Sequence, residues 1–357
     1  MTTVQNLAPE TTASIRPKAS GTSSPWRRQS GLTVVSSHPQ LVAVVDTNAL
    51  ANACCLQAAT GHDSLITRLV ATERVPCFVA DHVPGEMDEH LERISRSQRI
   101  DPAEAFRVWR TDIAPLLRVV ELPIGEYLRP EIAAIRQPPP EGDPDDWPTL
   151  ALAAFLGPTF TVTSDSVFAA LGFANAGYWA EGAKVLHTAG DLEGRYIDRL
   201  HSALFAARLM GGGVSAVGYL SRRWPWLVPG LGLAAGWLAS TMWAKRDSVR
   251  ATGAAVWEAL EPVAARIGAE LVQYGELRSS MVIVQDPRWR TETLTEHCAR
   301  YLARSGDPMT PSELRDALGQ YSNQRATAAA VRRAISQHPS FRRSAGERYS
   351  IGAPTAG

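Results

Sequence analysis

No net charge of either sign marks this chain. Its 36 lysines and arginines balance 36 aspartates and glutamates. Such a chain has no overall attraction for nucleic acid, so any electrostatic footprint must be local. Cysteine is scarce: Cys54, Cys55, Cys77 and Cys298 are all there is. None forms a C-x-x-C pair, and no His or Cys cluster accompanies them, which argues against a zinc site. Free thiols in a reducing cytoplasm fit better. The first residues lack the apolar core of a signal peptide, so a cytoplasmic location is expected. No internal repeat is present.

What is there suits a globular protein. Apolar residues make up 45% and charged residues 20% of the 357, enough for a sizeable core in two or more domains. Residues 1–38 are rich in Ser, Thr, Pro, Gln and Arg with a single acid, Glu10, and read as a disordered tail. Residues 39–190 alternate apolar β-like runs (Leu41–Val45, Val75–Val79, Arg118–Leu122, Thr159–Thr163, Lys184–His187) with helical stretches (Val83–Arg96, Pro102–Ala114, Tyr127–Arg136, Trp147–Leu156). That alternation predicts an α/β layer structure on a mostly parallel sheet. The proline-rich Gln137–Pro144 must be a loop. Residues 191–246 are an apolar helical segment, 247–290 a connector with a short strand around Met281–Val284, and 291–357 a small α+β module.

Four acids fall at structural boundaries. Asp46 closes the run Leu41-Val42-Ala43-Val44-Val45 and opens Asp46-Thr47-Asn48-Ala49-Leu50. The run reads as a strand buried on both faces, and a carboxylate at its end should lie where the chain surfaces. In open parallel sheets, sites are built at the carboxyl ends of strands. Glu86 sits early in a helix, Asp146 begins the helix Trp147-Pro148-Thr149-Leu150-Ala151, and Asp165 follows Thr163-Ser164. Each alone has an ordinary role as a cap, turn or first-turn acid. Asp143 and Asp145 compete with Asp146, although the spacing to Pro148 favours Asp146. Together the four suggest carboxylates holding a hard divalent cation, Mg²⁺ or Mn²⁺. Without a cation their mutual repulsion raises some pKa values and leaves a loose cluster.

In that order the motifs resemble the PIN-domain family of nucleases. The matching elements are the Val-Asp-Thr-Asn-Ala-Leu opening, Glu86 about forty residues on, the Asp146-Trp147-Pro148 helix start and the Thr163-Ser164-Asp165 element. The resemblance implies a PIN-like α/β fold over about residues 40–190 and a divalent-metal-dependent endoribonuclease. Asp46, Glu86, Asp146 and Asp165 would be its catalytic and metal-binding acids, with Asn48 supporting Asp46. Read from their own position, Thr163 and Ser164 could support the site by positioning a water or phosphate, although Ser and Thr at a strand end usually just satisfy backbone groups. The resemblance also implies RNA as substrate and, as in toxin-type members, an antitoxin or homodimer as partner. A non-catalytic DNA-binding regulator on a PIN-like scaffold, or a membrane-tethered nuclease, are the rival readings.

Two further segments bear on partners. Trp224–Ala244 is 21 residues without a charge, which matches a bilayer span with Trp anchors. Its flanks, Arg222-Arg223 and Lys245-Arg246, are symmetric and set no orientation, so a buried helical pair is the competing reading. The last module reads as three helices, Leu294–Arg304, Pro311–Leu318 capped by Thr310, and Thr327–Gln337, followed by a hairpin over Phe341–Ile351. This pattern resembles a winged helix. Arg325, Arg332, Arg333, Arg342, Arg343 and Arg348 give it a local basic surface suited to phosphates of DNA or RNA.

Overall fold

The structure is a computed structural model that describes residues 41–123, 130–136, 144–209, 265–284, 293–321 and 326–355. The N-terminal tail, the Gln137–Asp143 part of the proline-rich loop, Trp224–Ala244 and Arg325 lie outside the described residues. Among the described residues, no helix is long and apolar enough to cross a membrane.

Four parallel strands form the centre of a six-stranded sheet. They are β1 (Ala43–Val45), β2 (Cys77–Ala80), β3 (Arg118–Val120) and β4 (Thr159–Val162), in spatial order β4-β1-β2-β3. All residues of β1, β2 and β4 are buried, as continuous apolar strands covered on both faces should be. The outer strands are antiparallel and come from far downstream: β5 (Ile283–Val284) beside β4, and β8 (Ala353–Pro354) beside β3.

Helices α1 (Thr47–Thr60), α2 (Leu65–Ala71), α3 (Val83–Ser97) and α4 (Pro102–Val108) connect the first three strands. α5 (Pro130–Ile135), α6 (Trp147–Leu156), α7 (Ser166–Ala170) and α8 (Trp179–Leu209) surround β4. From Thr149 to Leu156, every residue of α6 is buried. A helix apolar all round needs cover on every side. The sheet supplies one cover, and α9 (Leu294–Ser305) supplies another.

The run Lys184–His187, expected as a strand, lies inside α8. The buried residues Trp179, Ala183, Leu186, Ala189, Leu192 and Tyr196 follow a helical spacing, which a four-residue window cannot distinguish from a strand. Gly190 lets α8 pack close to the entry of β2, since a Cβ there would lie 2.8 Å from Val75 Cγ2. The edge strand expected from Lys184–His187 is therefore absent from the sheet, and β5 pairs with β4 in its stead.

The last elements are α9, α10 (Pro311–Tyr321), α11 (Ala328–Ser336) and the hairpin β6 (Phe341–Ser344) and β7 (Arg348–Ile351). They are joined closely to the sheet domain. Arg300 and Arg304 are buried and point at the C-terminal end of α6. Arg300 donates to the carbonyls of Phe155 at 3.0 Å and Ala154 at 3.3 Å, and Arg304 to those of Leu156 at 3.2 Å and Pro158 at 2.6 Å. Those of Ala154, Phe155 and Leu156 are carbonyls that a helix end leaves without intrahelical partners, at the negative pole of its dipole. His338 stacks on Phe155 at 5.5 Å between ring centroids. At Gly352, φ is +68° and a Cβ would meet Val119 O at 2.8 Å. Glycine there lets the chain leave the hairpin and lie against β3.

Candidate active site

Asp46, Glu86 and Asp165 follow the carboxyl ends of β1, β2 and β4, three strands adjacent in the order β4-β1-β2. Parallel pairing puts those ends on one edge of the sheet. The Asp46 amide donates to Val162 O at 3.1 Å, which fixes the start of α1 to the end of β4.

Asp46 precedes α1 at its N-cap position but makes no side-chain cap bond to the helix. Its Oδ2 instead accepts from Thr163 Oγ1 at 2.8 Å, and Thr163 Oγ1 in turn accepts from the Asp165 amide at 2.9 Å. Glu86, one turn into α3, accepts a hydrogen bond from the Thr47 hydroxyl. His82 Nε2 lies 3.8 Å from Glu86 Oε2. Asp165 caps α7, accepting from the Val167 amide at 2.7 Å.

Burial pushes the Asp46 carboxyl up to about 6, against the pull of the Thr163 hydroxyl and the Thr47 amide, and the charges of Asp165 and Glu86 raise it further. Glu86 and Asp165 thus both lie near enough to Asp46 for their charges to be felt there. Burial lowers the pKa of His82, opposed by the charges of Glu86, Asp81 and Asp145. The field of Asp145 at His82 places the start of α6 beside the start of α3. Asp146, the next residue, is half-buried at the N-cap of α6.

Asn48 is exposed on the first turn of α1, and no hydrogen bond joins it to Asp46. Thr47 and His82 belong to the site although the sequence reading passed over both. Thr47 stands inside the Asp46-Thr47-Asn48 opening, whereas nothing in the sequence around His82 sets it apart. The oxygen donors of these acids and hydroxyls match a hard cation. A buried carboxylate crowded by two others is also one whose ionised form a cation would stabilise. As the side chains stand, no group of three or more His, Cys, Asp or Glu among the described residues is close enough together to hold an ion. The Thr47 and Thr163 hydroxyls occupy acceptor positions on two of the acids. All four cysteines are buried, with burial pushing the thiol of Cys55 up to about 11 and those of Cys77 and Cys298 up to about 12, so thiolate ligation of a soft metal is disfavoured.

Of the described basic residues in the C-terminal hairpin and the helix before it, four are ion-paired. Glu347 takes Arg332 at 2.8 Å and Arg343 at 3.3 Å, Glu313 takes Arg348 at 2.9 Å, and Glu121 takes Arg342 at 3.8 Å. Two of these partners, Glu121 and Glu313, lie far from the arginines in sequence, so the basic surface expected from the arginines alone is partly neutralised in the fold.

No curated protein and no solved structure matches the chain. Residues 44–188, the segment that carries Asp46, Glu86, Asp146 and Asp165, match the family model described as PIN domain, a family whose members are generally nucleases.

Proposed function

We propose that this protein is a divalent-metal-dependent endoribonuclease that hydrolyses phosphodiester bonds at the carboxyl edge of its parallel sheet. The observation that carries this reading is the placement of Asp46, Glu86 and Asp165 after the carboxyl ends of three neighbouring parallel strands, within the segment that matches the PIN domain. Asp46, Glu86 and Asp165 would hold Mg²⁺ or Mn²⁺, with Asp146 completing the set from the start of α6. A bound cation of this kind supplies a water of lowered pKa and neutralises charge on the phosphoryl oxygens. The chain's own residues do the positioning. Thr163 orients the Asp46 carboxylate, Thr47 orients that of Glu86, and the rigid strand ends keep the acids in place. The C-terminal module, with its winged-helix pattern, would add phosphate contacts through Arg333 and its neighbours. An antitoxin-like partner or a second copy of the chain is compatible with this reading.

Asp46→Asn and Asp146→Asn test it. Purified protein given mixed RNA and single-stranded DNA should cut RNA with Mn²⁺ and stop on addition of EDTA. Each variant should abolish cutting while keeping the wild-type circular dichroism, because a ligand is lost and no core is emptied. Wild-type cleavage rates in both variants would overturn the assignment.

A further inference from the structure

Among the described residues, the two neighbours of β4 cover it unequally. β1 pairs with it from Phe160 to Val162, but β5 covers only Thr159 and Phe160. The uncovered stretch borders a cavity of about 250 Å³, enclosed by Thr161 and Thr163 on the strand and by Tyr178, Trp179 and Glu181 at the start of α8. Both walls are held firmly. The Trp179 amide donates to Ser164 Oγ at 3.0 Å. Asn175 Nδ2 donates to Ser280 O at 2.8 Å, and its Oδ1 accepts from the Val282 amide at 2.6 Å.

Two of the lining residues carry a polar atom in the wall, buried and not exposed to the cavity as it stands, whose hydrogen-bonding capacity is unused and which an occupant reaches by a shift of the wall. Thr161 is 2% and Trp179 1% exposed, and neither Thr161 Oγ1 nor Trp179 Nε1 has a partner among the described residues. Buried groups of this kind are rare without a reason, and an occupant that bonds to them relieves the cost. The remaining lining narrows the occupant. Phe160, Tyr178 and Trp179 offer flat aromatic surfaces, and Tyr178 is 55% exposed. Among the described residues no Lys or Arg lines the cavity, and Glu181 does, so an anion is unfavourable there. The volume is below the roughly 300–1,000 Å³ of pockets for drug-sized ligands and suits a single ring system. Thr163 belongs both to the cavity wall and to the Asp46 site, where its hydroxyl donates to the carboxylate.

We propose that this cavity receives one unpaired nucleobase of the RNA strand, from the nucleotide beside the phosphodiester presented to Asp46. This rests on the ribonuclease reading above and adds the means by which a strand is selected. The Trp179 N–H donates to an acceptor on the base edge, the Thr161 hydroxyl gives or accepts a second bond, and the Tyr178 ring stacks at the mouth. Bases read this way must be out of a helical stack, so cleavage falls in single-stranded regions and favours particular bases at one position.

The full-length protein is titrated in EDTA with each of the four ribonucleosides, followed by NMR. The expected result is unequal binding among the four, weakened about two- to tenfold by Thr161→Val and by Trp179→Phe, the range expected when one hydrogen bond is removed. Tyr178→Ala, an exposed change that spares the core, should weaken it as well. Equal binding of all four, untouched by the three variants, or no binding at all would overturn the proposal. Mapping RNA ends after Mn²⁺-dependent cleavage separates it from the reading on which it rests. Variant-sensitive nucleoside binding without any RNA cutting would sink the ribonuclease and keep the pocket. RNA cutting with a base preference indifferent to the variants would keep the ribonuclease and sink the pocket.

Discussion

Asp46 is where sequence and chemistry meet most directly, and its titration has a measurable consequence. Holding its carboxyl near 6 instead of the ordinary 3.8 disfavours the ionised form by about 3 kcal/mol. The folded carboxyl keeps its proton to a higher pH than the unfolded one. The stability it contributes is thus complete below about 3.8 and is lost as pH rises through about 6. In EDTA, Asp46→Asn should therefore raise the unfolding free energy by about 1–3 kcal/mol near neutral pH and have little effect at the acid end of that window. Denaturant titrations at several pH values would check it, and a gain of equal size at every pH would contradict it. At this scale the sequence was informative about type and less so about partners. The order of the four acids singled out the candidate site, because each follows a strand or stands at or near the start of a helix. The hydroxyl of Thr47 on Glu86 and that of Thr163 on Asp46 depend on how strands 117 residues apart in the chain come to lie side by side, which periodicity does not express.

Among the elements, α6 has the most to explain. It carries no charge from Trp147 to Leu156, starts at one of the acids, and ends in carbonyls bound by two buried arginines from α9. Removing Arg304 strands acceptors in a dry interior. Arg304→Met should lower the unfolding free energy by about 2–4 kcal/mol, seen as a fall in the urea midpoint. An unchanged midpoint would mean that water satisfies those carbonyls. The strands β1 to β4 and helices α3 and α6 were legible in the sequence because their apolar runs are long and bounded by Gly, Pro or acids. α8 was misread over Lys184–His187 because four apolar-rich residues fit either period, and the helical spacing emerges only over Trp179–Tyr196. β5 lies within the short strand expected around Met281–Val284, whereas β8, only two residues long, was hidden for another reason. Strands that short are defined by the neighbour they pair with and carry no pattern of their own.

For the molecule as a whole, the C-terminal elements both face outward and complete the sheet domain. Outward, their arginines are engaged by Glu347, Glu313 and Glu121 at exposed positions. Exposed pairs of this kind are held only weakly in water, so a phosphate backbone can displace them. Glu347→Gln should strengthen duplex binding by freeing Arg332 and Arg343, and Arg333→Ala should make the log–log salt slope shallower by about one. Fluorescence anisotropy across a salt series reads both, and affinity indifferent to salt would point to a protein partner. Inward, residues 296–304 bind the end of α6, and residues 353–354 flank β3. A ribosome works from the other end. All four acids are already outside while the segments that complete their domain are still unmade. Until those arrive, β3 keeps an open edge and α6 an uncovered terminus, so the sheet that carries the acids stays unfinished well after the acids themselves have been made.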